Sequence, residues 1–222
     1  VGSGSFGVVR KSKHVVSGTP CVIKSVNKMH AGERYRANLV DNGLAVKLLT
    51  LSKEVQHPNV AKYYDFLEGA KSFYVIMEEL EGAELMDQVE ELFPVTEAYL
   101  QRVMQQVLRA LQHIHTKGGL VHRDVKLSNF RFRTPAPDAD LAILDFGFAH
   151  GLSKPWDGAV CGTMMYMAPE VIGGSAAIPH LAAIDLWAAG VVLYVLLTGD
   201  SPATEEEIRM LGKKDQQDKA KE

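Results

Sequence analysis

HRDVKLSN at His122–Asn129, followed after a short gap by DFG at Asp145–Gly147, is the most informative part of this sequence. The first stretch supplies three functional side chains: Asp124 can accept a hydroxyl proton, Lys126 can hold a phosphate, and Asn129 can bind a metal ion. The aspartate of the second stretch can hold Mg²⁺ on nucleotide phosphates. A triplet such as DFG often arises by chance, but the two stretches in this order seldom do.

A glycine-rich segment, GSGSFGVV, occupies residues 2–9. Glycines let the backbone fold close over phosphates and point N–H groups at them. Dinucleotide-binding folds and ordinary turns use similar glycines, so the segment alone fits a chance hairpin equally well. The apolar strand Cys21–Lys24 ends in a lysine, which in isolation is usually a solvated side chain. The candidate residues of the glycine-rich loop are Gly2, Ser3, Gly4, Ser5, Phe6, Gly7 and Val9.

Two later motifs complete a known pattern. CGTMMYMAPE at Cys161–Glu170 resembles the end of a protein kinase activation segment, and DLWAAGV at Asp185–Val191 resembles the start of the large buried helix of that family. All these motifs follow in order over residues 1 to about 200, so the chain resembles a protein kinase catalytic domain. The resemblance implies an α+β, two-lobed protein kinase fold with a small β-rich N-lobe and a mainly helical, incomplete C-lobe.

The resemblance implies a role for each catalytic residue, with ATP and Mg²⁺ as cofactors. Asp124 would accept the proton of the substrate hydroxyl or orient it, and Lys126 would neutralise the transferring phosphoryl group. Lys24 would grip the nucleotide phosphates, while Asn129 and Asp145 would hold Mg²⁺.

Other positions are implied to line the nucleotide pocket or to support the site. His122 and Phe146 would pack in a stack joining the lobes, and Asp185 would fix the backbone of the catalytic loop. The remaining implied nucleotide contacts are Val22, Met77, Glu78, Leu80, Glu84 and Arg131.

The motifs resemble those of serine/threonine kinases more than those of tyrosine kinases, because Lys126 follows Asp124 by two positions and Gly162–Thr163 precedes the APE triplet. The protein substrate would therefore present a serine or threonine. Glu84 matches a glutamate with which some kinases bind a substrate arginine, which predicts basic residues near the acceptor. Ser128 replaces a second such glutamate, so this preference is only half supported.

Within the family, GAEL at Gly82–Leu85 and HPNV at His57–Val60 look most like the calcium/calmodulin-regulated and calcium-dependent kinases. The 222 residues contain no EF-hand loop, so any calcium sensor would lie outside this chain.

The pattern departs from that of active kinases at the helix preceding His57. A glutamate that would pair with Lys24 is expected near position 48, which is Leu48; Asp41 and Glu54 lie about two turns away on either side. In the pocket, Val22 and Arg131 replace a small and an apolar residue, although arginine can stack on a base. A pseudokinase, meaning a nucleotide-binding scaffold with little transfer activity, is therefore the alternative. The APE triplet disfavours a small-molecule kinase.

Arg123 suggests control through a negative charge on the activation segment. The usual phosphate-accepting position is Ala159, which cannot be phosphorylated, and nearby Asp157 offers a fixed negative charge. We therefore expect that this segment does not need phosphorylation at that position.

Composition bounds the remaining possibilities. A net charge of −3 implies no general attraction to nucleic acid, and two cysteines, both within motifs, fit a reducing intracellular, cytoplasmic setting. The apolar stretch Leu181–Leu197 is short and contains Asp185, which favours a core helix over a membrane span. Both ends of the chain look truncated. The expected organisation is an N-lobe at 1–77, a hinge at 78–82, a partial C-lobe at 83–204 and a charged tail at 205–222.

Hydrophobic periodicity predicts the main elements. A hairpin is expected over Val8–Val26 and a strand over Phe73–Met77. A helix is expected over Leu39–Val55, with an apolar stripe at Leu44, Leu48, Leu51 and Val55. A second helix would bury one apolar stripe, consisting of Leu100, Val103, Met104, Val107, Leu108, Leu111 and Ile114.

Overall fold

A computed structural model describes residues 2–4, 7–175 and 177–210. The candidate loop residues Ser5 and Phe6 lie outside these ranges. The side chains of Gly2–Gly4, Glu33, Arg34 and Asp41 are likewise outside the described part of the chain.

An antiparallel five-stranded sheet forms the N-terminal half, in the order β1-β2-β3-β5-β4. Its strands are β1 (Gly2–Gly4), β2 (Gly7–Lys13), β3 (Pro20–Asn27), β4 (Tyr63–Glu68) and β5 (Ser72–Glu78). β2 and β3 form the predicted hairpin, and β5 covers the predicted strand. Alternation in β3 places the buried side chains of Lys24 and Val26 on the same face, so the lysine points inward.

The prediction of one continuous helix over Leu39–Val55 is wrong in its extent. The structure has α1 (Lys28–Arg36), a π-helical turn at Ala37–Asp41 and α2 (Leu44–Glu54). Gly43 adopts φ +72°, a left-handed conformation that glycine accommodates without strain and that separates the turn from α2. The predicted apolar stripe is nevertheless buried at Leu44, Leu48 and Leu51.

Helices dominate the C-terminal half. They are α3 (Leu85–Leu92), α4 (Glu97–Thr116), α5 (Pro169–Ile172) and α6 (Ala182–Thr198). Short strand pairs lie beneath the sheet: β6 (Leu120–Val121) with β9 (His150–Gly151), and β7 (Phe130–Phe132) with β8 (Leu141–Ile143). This β-sheet lobe followed by a helical lobe is the α+β architecture expected from the sequence.

The predicted stripe of α4 is largely core, with Val103, Val107, Leu111 and Ile114 fully buried. Leu108 is an exception: it is 47% exposed because it lies at the edge of the apolar face. In the segment predicted to be a charged tail without a core pattern, residues 205–210 are helical and Ile208 is buried.

α6 is a core helix, as expected, and buries Asp185 among apolar residues. Among the described residues, no helix combines the length and hydrophobicity needed to cross a membrane.

Aromatic packing connects the sheet to the catalytic loop. The Phe146 ring meets Tyr63 of β4 edge-on at a centroid distance of 5.7 Å and lies 4.7 Å from the His122 ring. His122 and Phe146 are both almost fully buried, and His122 Nε2 pairs with the Leu144 carbonyl. The packing role predicted for these two residues is therefore confirmed.

Candidate active site

The Asp124 carboxylate, in the catalytic loop His122–Asn129, is held through both of its oxygens. Its Oδ1 accepts hydrogen bonds from the Thr163 N–H at 2.9 Å and from the Thr163 hydroxyl at 2.8 Å. Its Oδ2 accepts from Asn129 Nδ2 at 3.0 Å and lies 3.1 Å from Lys126 Nζ. Both carboxylate oxygens are thus oriented, and the four side chains form one connected network.

The backbone of this loop is fixed by Asp185. Its carboxylate accepts the N–H groups of His122 at 2.7 Å and Arg123 at 2.9 Å, which confirms the tie predicted from the sequence. His115 Nε2 pairs with the same carboxylate at 2.8 Å, a contact that the sequence reasoning missed. Arg123 has φ +68°, a strained value for a side-chain-bearing residue, and these bonds hold it there.

Lys24 pairs with Asp145. Its Nζ lies 2.6 Å from both carboxylate oxygens, and Lys24 as a whole is only 5% exposed. Burial acts to raise the pKa of Asp145, but the charge and hydrogen bonds of Lys24 outweigh it, so the pKa lies below its ordinary value. The carboxylate is therefore ionised, as a metal ligand must be.

The helix position where a glutamate was expected holds Leu48, which is 2% exposed. Leu48 lines a small apolar cavity next to Lys24 and Asp145, together with Tyr35 and Tyr63. Burial, with a smaller contribution from Asp145, raises the pKa of Tyr35, which therefore stays neutral. In this arrangement Asp145 is the anionic partner of Lys24, and Glu54 lies at the far end of α2.

Strand pairing and the short strands beneath the sheet create a cleft of about 370 Å³. Val22 of β3 lies opposite Met77 of β5, and Val9 of β2 lies opposite Lys24. The predicted residues that line this cleft are Val9, Val22, Lys24, Met77, Glu78, Leu80, Glu84, Lys126, Asn129, Arg131 and Asp145. The lining residues outside the predicted nucleotide contacts are Lys11, Glu79, Glu81, Ser128 and Leu144, of which Glu79 and Glu81 belong to the predicted hinge.

Gly7, another candidate of the glycine-rich segment, lies at the start of β2. A Cβ added there would lie within 1.9 Å of the Ser25 carbonyl oxygen, so the close approach of β2 to β3 requires glycine.

Arg131 lies in the cleft wall and does not project freely. Its guanidinium lies 3.1 Å from Glu84 Oε1, and its Nε donates to the Leu80 carbonyl at 3.2 Å. Glu84, expected to receive a substrate arginine, is therefore already paired within the chain.

Arg123 binds the activation segment through Asp157. Its Nη1 lies 2.9 and 3.2 Å from the two carboxylate oxygens, and its Nε donates to the Phe148 carbonyl. The guanidinium also lies over the Trp156 ring. Burial is the largest single influence and acts to raise the pKa of Asp157, but the Arg123 charge and the hydrogen bonds from Ala159 and Arg123 together outweigh it, so the net shift is downward. Asp157 thus supplies the fixed negative charge expected from the sequence, and its carboxylate pairs with the Arg123 guanidinium.

Asn129 and Asp145 supply a donor set that suits Mg²⁺. The Asn129 amide nitrogen faces Asp124, donating to its carbonyl at 2.7 Å and to its carboxylate, which leaves the amide oxygen for a cation. With the ionised Asp145 in the same cleft, the residues present offer the hard oxygen ligands that Mg²⁺ prefers.

Comparison with known proteins gives one consistent result. The sequence model of the protein kinase domain matches residues 1–221. The chain is 33% identical over 213 residues to the hormonally up-regulated neu tumor-associated kinase of Mus musculus, covering 93% of this chain and 28% of that protein. It is 33% identical over 206 residues to calcium/calmodulin-dependent protein kinase type 1B of Rattus norvegicus, covering 93% of this chain and 57% of that protein.

A third relative broadens the comparison. Serine/threonine-protein kinase ATG1c of Arabidopsis thaliana is 32% identical over 205 residues, covering 92% of this chain and 27% of that protein. Similarity to a calcium/calmodulin-dependent kinase is therefore not exclusive. The chain spans between about a quarter and three fifths of the length of these relatives.

Proposed function

Because the chain belongs to the protein kinase family, we propose that it is a serine/threonine kinase that transfers the γ-phosphate of Mg·ATP to a serine or threonine hydroxyl of a polypeptide. The observation that carries this proposal is the network of Asp124, Lys126, Asn129 and Thr163, which borders the cleft holding Lys24 and Asp145.

Asp124 is the group that receives the proton. The hydroxyl oxygen of the substrate forms a bond to the γ-phosphorus while the bond to the bridging oxygen breaks, and the electron pair of that bond stays on ADP. The hydroxyl proton passes to the Asp124 carboxylate. Since Thr163 and Asn129 hold that carboxylate from both oxygens, little reorganisation is needed at this step.

Two lysines provide positive charge along the cleft. The ammonium of Lys126 is held by the Thr163 hydroxyl at 2.7 Å, beside Asp124, where it neutralises charge on the transferring group. Lys24 is directed into the cleft by β3 and is poised to bind the nucleotide phosphates. Asn129 and Asp145 would hold Mg²⁺, which supplies neutralisation of phosphate charge when bound.

One observation favours the pseudokinase as a second candidate. Leu48 offers no anion to Lys24, and the Lys24 ammonium is engaged by Asp145, the same group proposed to hold the metal. A scaffold, however, has no physical need for the ordered Asp124 network, so the enzyme remains the better supported function.

The proposed domain organisation is a lobe at 1–77, a hinge at 78–82, a second lobe at 83–204 and a tail at 205–222. The proposed intracellular, cytoplasmic location is supported by the low cysteine content, since the two cysteines, Cys21 and Cys161, both lie within motifs and suit a reducing compartment. The activation segment is proposed to work without phosphorylation near Ala159.

The test is transfer of labelled γ-phosphate from Mg·ATP to a serine peptide, with circular dichroism confirming that each sample is folded. Asp124→Asn should abolish transfer because the amide cannot receive the proton. Asp138→Asn, on an exposed loop, is the matched control and should retain it. A folded parent chain that transfers nothing, or an Asp124→Asn variant as active as the parent, would contradict the proposal.

A further inference from the structure

An internal ion pair occupies one wall of the nucleotide cleft. Arg131 of β7 is bonded to Glu84, the residue just before α3, and to the Leu80 carbonyl of the hinge. The two residues also form an isolated antiparallel backbone bridge, so their side chains start from a fixed separation. The pair is therefore preorganised by the fold.

Most carboxylates that line the cleft are likewise paired with a basic side chain. Five carboxylates line it, and four have a basic partner: Glu78 with Arg133, Glu79 with Lys11, Glu84 with Arg131 and Asp145 with Lys24. Within the described residues, Glu81 is the lining carboxylate without an ion pair.

Glu84 differs from the other paired carboxylates in its accessibility. Its side chain is 42% exposed, compared with 32% for Asp145, 15% for Glu79 and 11% for Glu78. A cationic group entering the cleft therefore meets Glu84 more readily than the largely buried Glu78 and Glu79. It also meets a carboxylate whose Oε1 is already bonded to the guanidinium of Arg131.

Resting on the proposed function, we infer that Arg131 sets the substrate preference of this kinase by occupying Glu84, so that the cleft does not select peptides with an arginine near the acceptor hydroxyl. A substrate arginine binding Glu84 would replace one guanidinium–carboxylate pair by another. Forming the internal pair costs less conformational entropy, because the backbone bridge already holds the two residues together. The exchange therefore gives the arginine peptide no net gain in binding free energy.

This assignment reverses the preference that Glu84 alone suggests from the sequence. It also makes Arg131 a specificity-determining residue. Removing its guanidinium should release an exposed carboxylate beside the catalytic loop and create a preference that the parent chain lacks.

The test compares kcat/KM for serine peptides in which a single arginine is moved along the positions before the serine, relative to the same peptide with alanine. The parent should give a ratio near one at every position. Arg131→Leu should raise the ratio by roughly tenfold at one position, the gain typical of a charge-assisted hydrogen bond. Using the ratio cancels any effect of the substitution on nucleotide binding, since both peptides are assayed at the same Mg·ATP concentration.

Two further variants assign the effect. Arg131→Leu combined with Glu84→Gln should return the ratio to one, because the released carboxylate is gone. Lys11→Leu releases Glu79, which is less exposed, and should leave the ratio unchanged. A generally loosened cleft would alter all variants alike and would not restore the ratio in the double variant.

Failure of this inference is separable from failure of the proposed function. The same peptides, carrying a fluorophore, are tested for binding by anisotropy in all variants. If no variant transfers phosphate but Arg131→Leu binds the arginine peptide more tightly through Glu84, the kinase proposal falls while the masking of Glu84 by Arg131 stands as a property of peptide binding. The inference is overturned if the parent already prefers arginine through Glu84, or if Arg131→Leu changes neither binding nor the kcat/KM ratio.

Discussion

Replacing Asp157 with asparagine tests whether the activation segment carries its own negative charge. The Arg123 side chain is 5% exposed and depends on Asp157, whose side chain is 32% exposed, for its anionic partner. Asparagine keeps the shape and can still accept the Ala159 N–H that Asp157 accepts at 3.0 Å. The substitution therefore removes the charge and, with it, the second acceptor oxygen that lies 3.2 Å from Arg123 Nη1.

The magnitude follows from the geometry. Unit charges 2.9 Å apart attract by about 6 kcal/mol at an effective dielectric constant of about 20. Desolvation of Arg123 and the access of water to Asp157 offset most of this, which leaves a net contribution of about 2 kcal/mol. We expect the free energy of unfolding to fall by about that amount at neutral pH.

The pH dependence gives a second check. The pKa of Asp157 is depressed in the folded protein, so its stabilisation is present above the unfolded-state pKa of about 3.9 and is lost as the pH falls through the lower folded value. The parent and the Asp157→Asn variant should therefore differ by the full amount in free energy of unfolding at neutral pH, and this difference should vanish in acid.

Urea unfolding at several pH values measures the stability difference, and hydrogen exchange over residues 148–163 locates it. Asp138→Asn, a charge removal on an exposed loop, is the control. An Asp157→Asn variant with unchanged stability and unchanged exchange would refute the role given to this ion pair. Phosphatase treatment that abolished transfer through a site in residues 148–163 would refute the inference that the segment needs no phosphate.

Two other substitutions probe the same region. Gly162→Ala should destabilise the chain by about 2 kcal/mol or more in thermal unfolding, because Gly162 has φ +102° and an added Cβ would lie 2.3 Å from the Arg123 carbonyl oxygen. Gly158→Ala is the control: Gly158 has φ +69° but open space around it, so the loss of stability should be smaller. Equal losses in the two variants would contradict the steric argument. Thr163→Ala should lower kcat by roughly ten- to a hundredfold, because it removes one charge-assisted hydrogen bond to Asp124. Thr163→Ser keeps the hydroxyl and should retain most of the activity. Equal losses of kcat in both variants would show that the hydroxyl is not responsible.

Local chemistry was predictable from the sequence, and long-range pairing was less so. Asp124 and Asn129 lie a few residues apart on one loop, so their motif already defines their geometry. Thr163 reaches Asp124 only because the activation segment folds back over the loop, and the motif containing it gave no sign of that contact. The partner of Lys24 was uncertain for the same reason, since Asp145 comes from a distant element.

The mistaken helix boundary had a readable signal. Asn42–Gly43 is a common turn dipeptide, and the apolar periodicity on both sides of it obscured the break. By contrast, the pairing of Arg131 with Glu84 depends on the register of β7 against the start of α3, which no local pattern in the sequence encodes.

The bonds from Asp185 to the catalytic loop have a consequence for the order in which the chain acquires its structure. The two backbone N–H groups that Asp185 accepts belong to residues more than sixty positions earlier. A nascent chain emerging from the ribosome would thus display the glycine-rich hairpin, the lysine and the DFG segment before its HRD turn had any acceptor for those amides. Docking of α6 is then the event that sets the turn, and maturation of the catalytic loop during synthesis would await the arrival of that single buried carboxylate.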